Sequence, residues 1–354
     1  MDEIAKHGGD IYSYIEINGI EPLDYSANIN PLGLSESVKK ALAESIDSYS
    51  AYPDVHCRRL KEMVSAYEKF DPEGIVFGNG AADILFRITH ALSPKTALLT
   101  SPTFSEYEQA LLNTGCKIRY LQLKPENGFA VGTSITDQVM GTDIVFICNP
   151  NNPTGNLVDR ELIYTLSQKC KEENCVVVID ECFMDFVGEK KKYSFIEYLA
   201  DFDNVIIVKA FTKTFAMAGL RLGYCLCRNE DIIYKIKKTG QPWSVSIPAQ
   251  IAGVAALGDR NYLTRTVRLV AEERGYLTNS LVNFGFTVFK SHTNFILFKT
   301  LHKDLYSKLY KKGVLIRKCG DFNGLDETYY RIAVRCREDN ERLISLISEV
   351  IDDG

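Results

Sequence analysis

The chain has 354 residues, 45% hydrophobic and 25% charged, with 24 Gly and 11 Pro, a balance that argues for a folded chain and excludes collagen, disulfide scaffolds and disorder. Its 41 Lys and Arg against 46 Asp and Glu leave a formal charge of -5, so nucleic acid and anionic lipid are not expected partners and any anion site must be local. No apolar run approaches the roughly 18 residues of a membrane helix, and the start MDEIAKHGGDIY lacks a secretory pattern, so the cytoplasm is the expected location.

The length allows two domains or one large α/β unit. From about Ile75, short β-branched runs alternate with amphipathic segments: IVF then AADILFRITHAL, TALLTSP then FSEYEQALLNTG, then KIRYLQL. This is the rhythm of parallel strands joined by helices. DIVFICNP, the helical DRELIYTLSQKCKEEN, CVVVID, NVIIVKA and RLGYCLC continue it; their unbroken apolar runs suit strands covered on both faces. Beyond about Ile251 a long helical stretch, NYLTRTVRLVAEERGYLTNSLVNFG, leads into FTVFKSHTNFILF, DLYSKLYKKG, VLIRKC, YYRIAV and a last helix REDNERLISLISEVI. That half predicts a smaller α+β domain. We place the large domain at residues 45–255, and the small one at 1–44 together with 256–354. The ten cysteines include Cys225 and Cys227 but no C-x-x-C pair or zinc-spaced Cys/His cluster, so reduced, buried thiols and no metal are expected.

In open α/β sheets, ligands gather at the carboxyl ends of strands. Four such ends carry small or polar residues: GNGAAD, NPNNPTG, DECF and AFTKTFAMAGLRLG. Gly78, Gly80, Ala81 and Ala82 open a helix whose first N–H groups can cradle a phosphate; a plain turn also accounts for them. They match neither the nucleoside-triphosphate loop nor the dinucleotide fingerprint. Asp180 ends a very apolar strand, where a carboxylate needs a partner; a protonated ring nitrogen suits it, as does an ordinary cap. Lys213 lies among small and apolar residues, where partial desolvation favours the neutral amine that a Schiff base needs, although a lone lysine is more often a surface residue. Arg221 suits a phosphate or a structural salt bridge. Phosphate on a helix start and an arginine, ring nitrogen on a carboxylate and aldehyde carbon on a lysine together describe a pyridoxal phosphate site.

With Asn152-Pro153-Thr154-Gly155, Asp180, and Lys213 followed by Gly219-Leu220-Arg221 in this order, the chain resembles the fold-type I aminotransferase superfamily over nearly its whole length. The resemblance implies an α/β large domain with a mostly parallel seven-stranded sheet covered by helices, plus a smaller α+β domain. It implies that Lys213 bonds covalently to pyridoxal 5'-phosphate and shuttles the proton at Cα. It sets Asp180 on the ring nitrogen, Asn152 on the ring hydroxyl and Phe104 of S-P-T-F against the ring. Gly80, Ala81, Ala82, Thr212 and Arg221 then hold the phosphate, joined by Tyr52 of Y-P-D from a second subunit, so a homodimer is expected. Two positions depart from the pattern. Phe183 stands where many members have a Tyr that touches the ring oxygen, and Ala210 stands where many have a Ser or Thr that contacts the phosphate.

Within the superfamily, the pattern is similar to histidinol-phosphate aminotransferases and to threonine-phosphate decarboxylases, the latter belonging to cobalamin synthesis. His7-Gly8-Gly9-Asp10-Ile11, the run SANINPLG from Ser26, Phe183-Met184-Asp185-Phe186, Pro242-Trp243-Ser244-Val245 and the segments between Leu315 and Arg335 look more like the decarboxylases. Both branches bind a substrate that carries a phosphate ester, and both need cations for two anionic ends. The resemblance sets Arg331 where aminotransferases hold the substrate carboxylate, and counts Asn152 among the substrate-binding residues too. It sets Arg317, His7 and Asn28 where the decarboxylase holds its phosphorylated substrate. Ion pairs for the arginines, a frayed terminus for His7 and a turn for Asn28 are the plainer roles. His56, His90, His292 and His302 have no such context and read as structural or surface residues.

The activity implied is decarboxylation of O-phospho-L-threonine to (R)-1-aminopropan-2-ol O-phosphate, with O-phosphoserine as a close variant. The runner-up is transamination of histidinol phosphate or a related donor with 2-oxoglutarate. The bond broken is the one held perpendicular to the cofactor ring, so rotation of the substrate decides between them. A pyridoxal phosphate sensor without turnover fits poorly, because the aminotransferase-like pattern starts within about the first thirty residues and the net charge is acidic.

Overall fold

The computed structural model describes residues 8–259 and 261–352. Seven strands form the large sheet: β1 (Ile75–Gly78), β2 (Thr96–Ser101), β3 (Lys117–Gln122), β4 (Ile144–Cys148), β5 (Val176–Asp180), β6 (Val205–Ala210) and β7 (Gly223–Leu226). Their spatial order is β1-β7-β6-β5-β4-β2-β3. The pairs from β6 through β3 are all parallel, and β7 alone runs antiparallel to its neighbours β1 and β6. This is the mostly parallel sheet that the sequence rhythm and the resemblance predict.

Alternate residues of a strand point to opposite faces, and the apolar runs therefore feed two cores. Val145, Ile147, Val177, Ile179, Val205 and Ile207 enter one; Phe146, Cys148, Val178, Ile206 and Val208 enter the other. Five helices cover these faces: α1 (Ala81–Leu92), α2 (Ser105–Leu112), α3 (Arg160–Glu172), α4 (Glu230–Thr239) and α5 (Ile247–Gly258). Spacing of three and four residues gives each an apolar stripe. Ile163, Leu166 and Cys170 of α3, with Ala249, Ala252 and Ala256 of α5, close the first face. Ile84, Leu85 and Ile88 of α1, with Tyr107 and Leu111 of α2 and Ile232, Ile233 and Ile236 of α4, close the second. Each fully buried Ile or Leu contributes about 1.5–3 kcal/mol. The edge strand β3 instead exposes Lys117, Arg119 and Gln122, charge and polarity that discourage pairing with another chain.

The helix α6 (Tyr262–Asn283) leads to a four-stranded antiparallel sheet of β8 (Thr287–Val288), β9 (Phe295–Lys299), β10 (Arg317–Lys318) and β11 (Tyr329–Ala333), in the order β10-β11-β9-β8. The last helix α7 (Arg337–Asp352) completes this α+β subdomain, whose core holds Tyr25, Leu277, Ile296, Phe298, Ile332, Leu343 and Ile347. VLIRKC reads as one strand in the sequence, but the structure divides it. Val314–Leu315 pairs in parallel with Leu23–Asp24, and Arg317–Lys318 pairs with β11. The N-terminal segment is thereby tied to the C-terminal half. The following helix, Glu36–Glu44, packs on α5 instead and sends Val38 into the large-sheet core. Nine cysteines are buried, Cys336 is exposed and none is bridged. Among the described residues no helix is long and apolar enough to cross a membrane.

Candidate active site

Parallel neighbours end on the same edge of a sheet. Cys148, Asp180 and Ala210, the last residues of β4, β5 and β6, accordingly line one cavity of about 560 Å³. Loops leaving the strand ends add Ala81, Ala82, Phe104, Asn152, Thr212, Lys213 and Arg221 to its wall; Asn28 comes from the N-terminal segment, and Arg317 and Arg331 from the small sheet. Residues singled out from distant stretches of sequence thus meet in one place. Gly80 stands directly before the wall residue Ala81. Tyr52 lies away from the cavity, 79% exposed, with its ring 4.7 Å from that of Trp243. His7 lies outside the described residues.

Lys213 sits in a single helical turn, Phe211–Thr214, directly after β6. Asn30 fixes that turn: its N–H donates to the Lys213 carbonyl at 3.1 Å, and its Nδ2 donates to the Thr214 carbonyl and to Thr266 Oγ1, both at 2.7 Å. Sequence reasoning placed Asn30 in a motif but gave it no role, because the contact joins residues far apart in the chain. The Lys213 side chain is partly buried, and burial, reinforced by the charges of Arg331 and Arg221, lowers its pKa from 10.5 to about 8. Among the described residues Nζ makes no hydrogen bond or ion pair.

Asp180 is 5% exposed. Its Oδ2 accepts from the Tyr107 hydroxyl at 2.6 Å and its Oδ1 from the Cys182 N–H at 2.9 Å. Burial raises its pKa, and the hydrogen bonds from Cys182 and Tyr107 oppose that rise. No lysine or arginine pairs with it among the described residues. Tyr107 was missed from sequence, although its place three residues after Phe104, on the same side of α2, was a signal; the two rings meet edge to face at 5.6 Å.

The helix α1 starts on Gly80, at φ 87° and ψ 166°, and no side chain caps it. Its first N–H groups therefore form a positive end without a side-chain acceptor. A Cβ on Gly80 would lie 2.6 Å from Arg221 Nη2, and one on Gly223 would lie 2.4 Å from the Ala81 nitrogen. Only glycine lets the guanidinium and β7 come this close to the helix start. Arg221 itself donates to the Ala218 carbonyl at 3.3 Å and forms no ion pair among the described residues, which argues against the salt-bridge reading.

Arg317 and Arg331 face each other in the register of β10 and β11. Like charges directly opposite on paired strands repel, so the pair needs anions. Arg317 has one: its Nη2 is 2.6 Å from Asp321 Oδ2, and its guanidinium lies 5.2 Å from the centre of the Phe322 ring. Arg331, 5% exposed, donates to Asn152 Oδ1 and, at 2.9 Å, to the Ser26 carbonyl, while its Nε has no partner among the described residues. Burial lowers its pKa to about 10. Among the described residues no carboxylate pairs with Arg331, so the strand-edge ion pair does not form, and a buried guanidinium without a counter-ion favours an anionic ligand. Asn28 Oδ1 is likewise buried without a hydrogen-bond partner among the described residues. Phe183 packs edge-on against Phe295 at 5.0 Å, the ring that also lies 5.4 Å from the Arg331 guanidinium.

A doubly covered sheet with an amine, a carboxylate and arginines gathered at its carboxyl edge defines an aminotransferase-like protein. The sequence profile described as aminotransferase class I and II matches residues 20–347, and the chain belongs to that family. Among individual relatives, the threonine-phosphate decarboxylase of Salmonella typhimurium is 34% identical over 354 residues, covering 98% of this chain and 97% of the relative. The histidinol-phosphate aminotransferase of Methanocaldococcus jannaschii is 31% identical over 349 residues, covering 94% and 91%. The crystal structure of the histidinol-phosphate aminotransferase from Clostridium acetobutylicum superposes with a TM-score of 0.87 at 31% identity, covering 93% of this chain and 99% of that one.

Proposed function

We propose that this chain is a pyridoxal phosphate enzyme that decarboxylates O-phospho-L-threonine to (R)-1-aminopropan-2-ol O-phosphate, a reaction of cobalamin biosynthesis. The observation that carries the reading is the charge layout of one cavity: the neutral-leaning amine of Lys213, the buried carboxylate of Asp180, Arg221 beside an uncapped helix start, and the facing pair Arg317 and Arg331.

These residues fit the cofactor. Asp180 is a buried carboxylate with no cation of its own among the described residues, suited to a protonated ring nitrogen, and the bare Gly80 leaves the Arg221 guanidinium space beside the helix start. When bound, pyridoxal phosphate withdraws electrons from the substrate Cα and so stabilises the carbanion left by departing carbon dioxide. Asp180 keeps the ring nitrogen protonated, Asn152 bonds the ring hydroxyl and Phe104 stacks on the ring. The Ala81 and Ala82 N–H groups, Thr212 and Arg221 bind the phosphate, and Tyr52 of a second subunit joins them, a role supported by its exposure beside Trp243. Arg331 and Arg317, with Asn28 and His7, bind the two anionic ends of the substrate and fix its rotation. Lys213 delivers the proton that replaces carbon dioxide at Cα. The enzyme acts as a cytoplasmic homodimer, with 45–255 as the large domain and 1–44 plus 256–354 as the small one.

Similarity to the Clostridium acetobutylicum structure favours transamination of histidinol phosphate as the second reading. One assay separates the two. Carbon dioxide released from O-phosphothreonine without any 2-oxo acid supports decarboxylation; strict dependence on 2-oxoglutarate, with glutamate formed, overturns it. O-Phosphoserine differs by one methyl, a difference of only ~1–3 kcal/mol in such pockets, and is assayed alongside.

A further inference from the structure

Each oxygen of Asp180 accepts a hydrogen bond from an oxygen or nitrogen donor. One donor is backbone, the Cys182 N–H at 2.9 Å; the other is a side chain 73 residues earlier, the Tyr107 hydroxyl at 2.6 Å. Tyr107 is completely buried, its ring is stacked on Phe146 of β4 at 5.1 Å, and its edge meets Phe104 at 5.6 Å. A tyrosine locked in this way cannot turn its hydroxyl elsewhere without leaving the core. The titratable groups crowded around the carboxylate are this hydroxyl and the thiols of Cys148 and Cys182, all neutral. The hydroxyl is thus the side-chain oxygen donor to Asp180, beside the weaker thiol donor of Cys182.

Resting on the reading of Asp180 as the partner of the cofactor ring nitrogen, we propose that Tyr107 is a positioning residue that holds the proton shared by that pair on the ring. A carboxylate that already accepts a short hydrogen bond binds a further proton less tightly. The Tyr107 hydroxyl therefore keeps Asp180 anionic against the effect of burial, and the ring nitrogen keeps its proton. A hydrogen bond to a charged group is strong enough to move such an equilibrium about 10- to 100-fold. Tyr107 also sets the angle of the carboxylate and backs the Phe104 ring, so one side chain aligns both groups that the reading places on the cofactor.

Tyr107→Phe tests this, because it deletes the hydroxyl and keeps the stacked ring. The measurement is the ¹⁵N chemical shift of ring-labelled pyridoxal phosphate in the holoenzyme, with Asp180→Asn as the reference for an unprotonated ring. Wild type is expected between Asp180→Asn and the fully protonated shift, nearer the latter, and Tyr107→Phe is expected to move measurably toward Asp180→Asn, with kcat reduced more than KM. A Tyr107→Phe shift equal to wild type overturns the proposal. If Tyr107→Phe does not fold, as judged by circular dichroism, a fluorinated tyrosine at position 107 supplies the second arm. It is a stronger donor of nearly the same shape and is expected to move the shift toward the protonated end. The opposite movement, or none, overturns the proposal. Failure of the wild-type protein to bind the cofactor would instead defeat the functional reading itself.

Discussion

Lys213 offers a prediction that can be worked in numbers. With its pKa lowered from 10.5 to about 8, about a quarter of the amine is neutral at about pH 7.5, against about 0.1% for an ordinary lysine. The cofactor-free protein is therefore expected to combine with pyridoxal phosphate roughly 200-fold faster at that pH than a solvent-exposed lysine would. The rate, followed by stopped-flow absorbance, should rise with pH and level off just above 8. The same shift affects stability. Between about 8 and 10.5 the unfolded chain holds a proton that the folded chain has released, so stability rises with pH across that window, by up to about 3 kcal/mol. Arg331→Gln removes a nearby positive charge and should move the midpoint upward. A rate that climbs without levelling through pH 10, or a midpoint unaffected by Arg331→Gln, would refute the assignment of burial and the arginines as the cause.

Three further outcomes follow from the geometry. Gly80→Ala forces an alanine to φ 87° and pushes its Cβ onto Arg221; the backbone cost alone is of order 1–3 kcal/mol, and cofactor affinity, measured by fluorescence titration, should fall about tenfold or more. Asn30→Ala removes the Nδ2 donor to the Thr214 carbonyl and Thr266 Oγ1, leaving the backbone N–H on the Lys213 carbonyl, and should cost about 1–3 kcal/mol in denaturant unfolding, with slower cofactor incorporation. Glu68→Gln leaves Lys209, 1% exposed and paired with Glu68 at 2.9 Å, with the more distant Asp185 at 3.7 Å as its remaining ion-pair partner among the described residues; breaking a buried pair costs about 3–5 kcal/mol, read as a lower urea midpoint.

The large sheet was legible because its signals are local. An apolar run such as VVVID followed by a polar residue marks a buried strand and its end in five letters, and parallel pairing then brings such ends together. For the same reason Asp180 and Lys213 stood out before any contact was known. What the sequence hid is pairing across distance. Tyr107 reaches Asp180 only because α2 lies over β4 and β5, and Arg317 meets Arg331 only through the register of two short strands. The division of VLIRKC depends on Leu23–Asp24 arriving from the other end of the chain. Lys209 reads as the last polar residue of an apolar strand, and nothing nearby in sequence announces Glu68 as its partner.

The central claim is that one amine, Lys213, holds the cofactor in this cavity. Borohydride reduction of the holoenzyme followed by peptide mass mapping tests it directly: the pyridoxyl group is expected on Lys213 alone and should be absent from Lys213→Ala. Its appearance on a different lysine, or on none, would contradict the account.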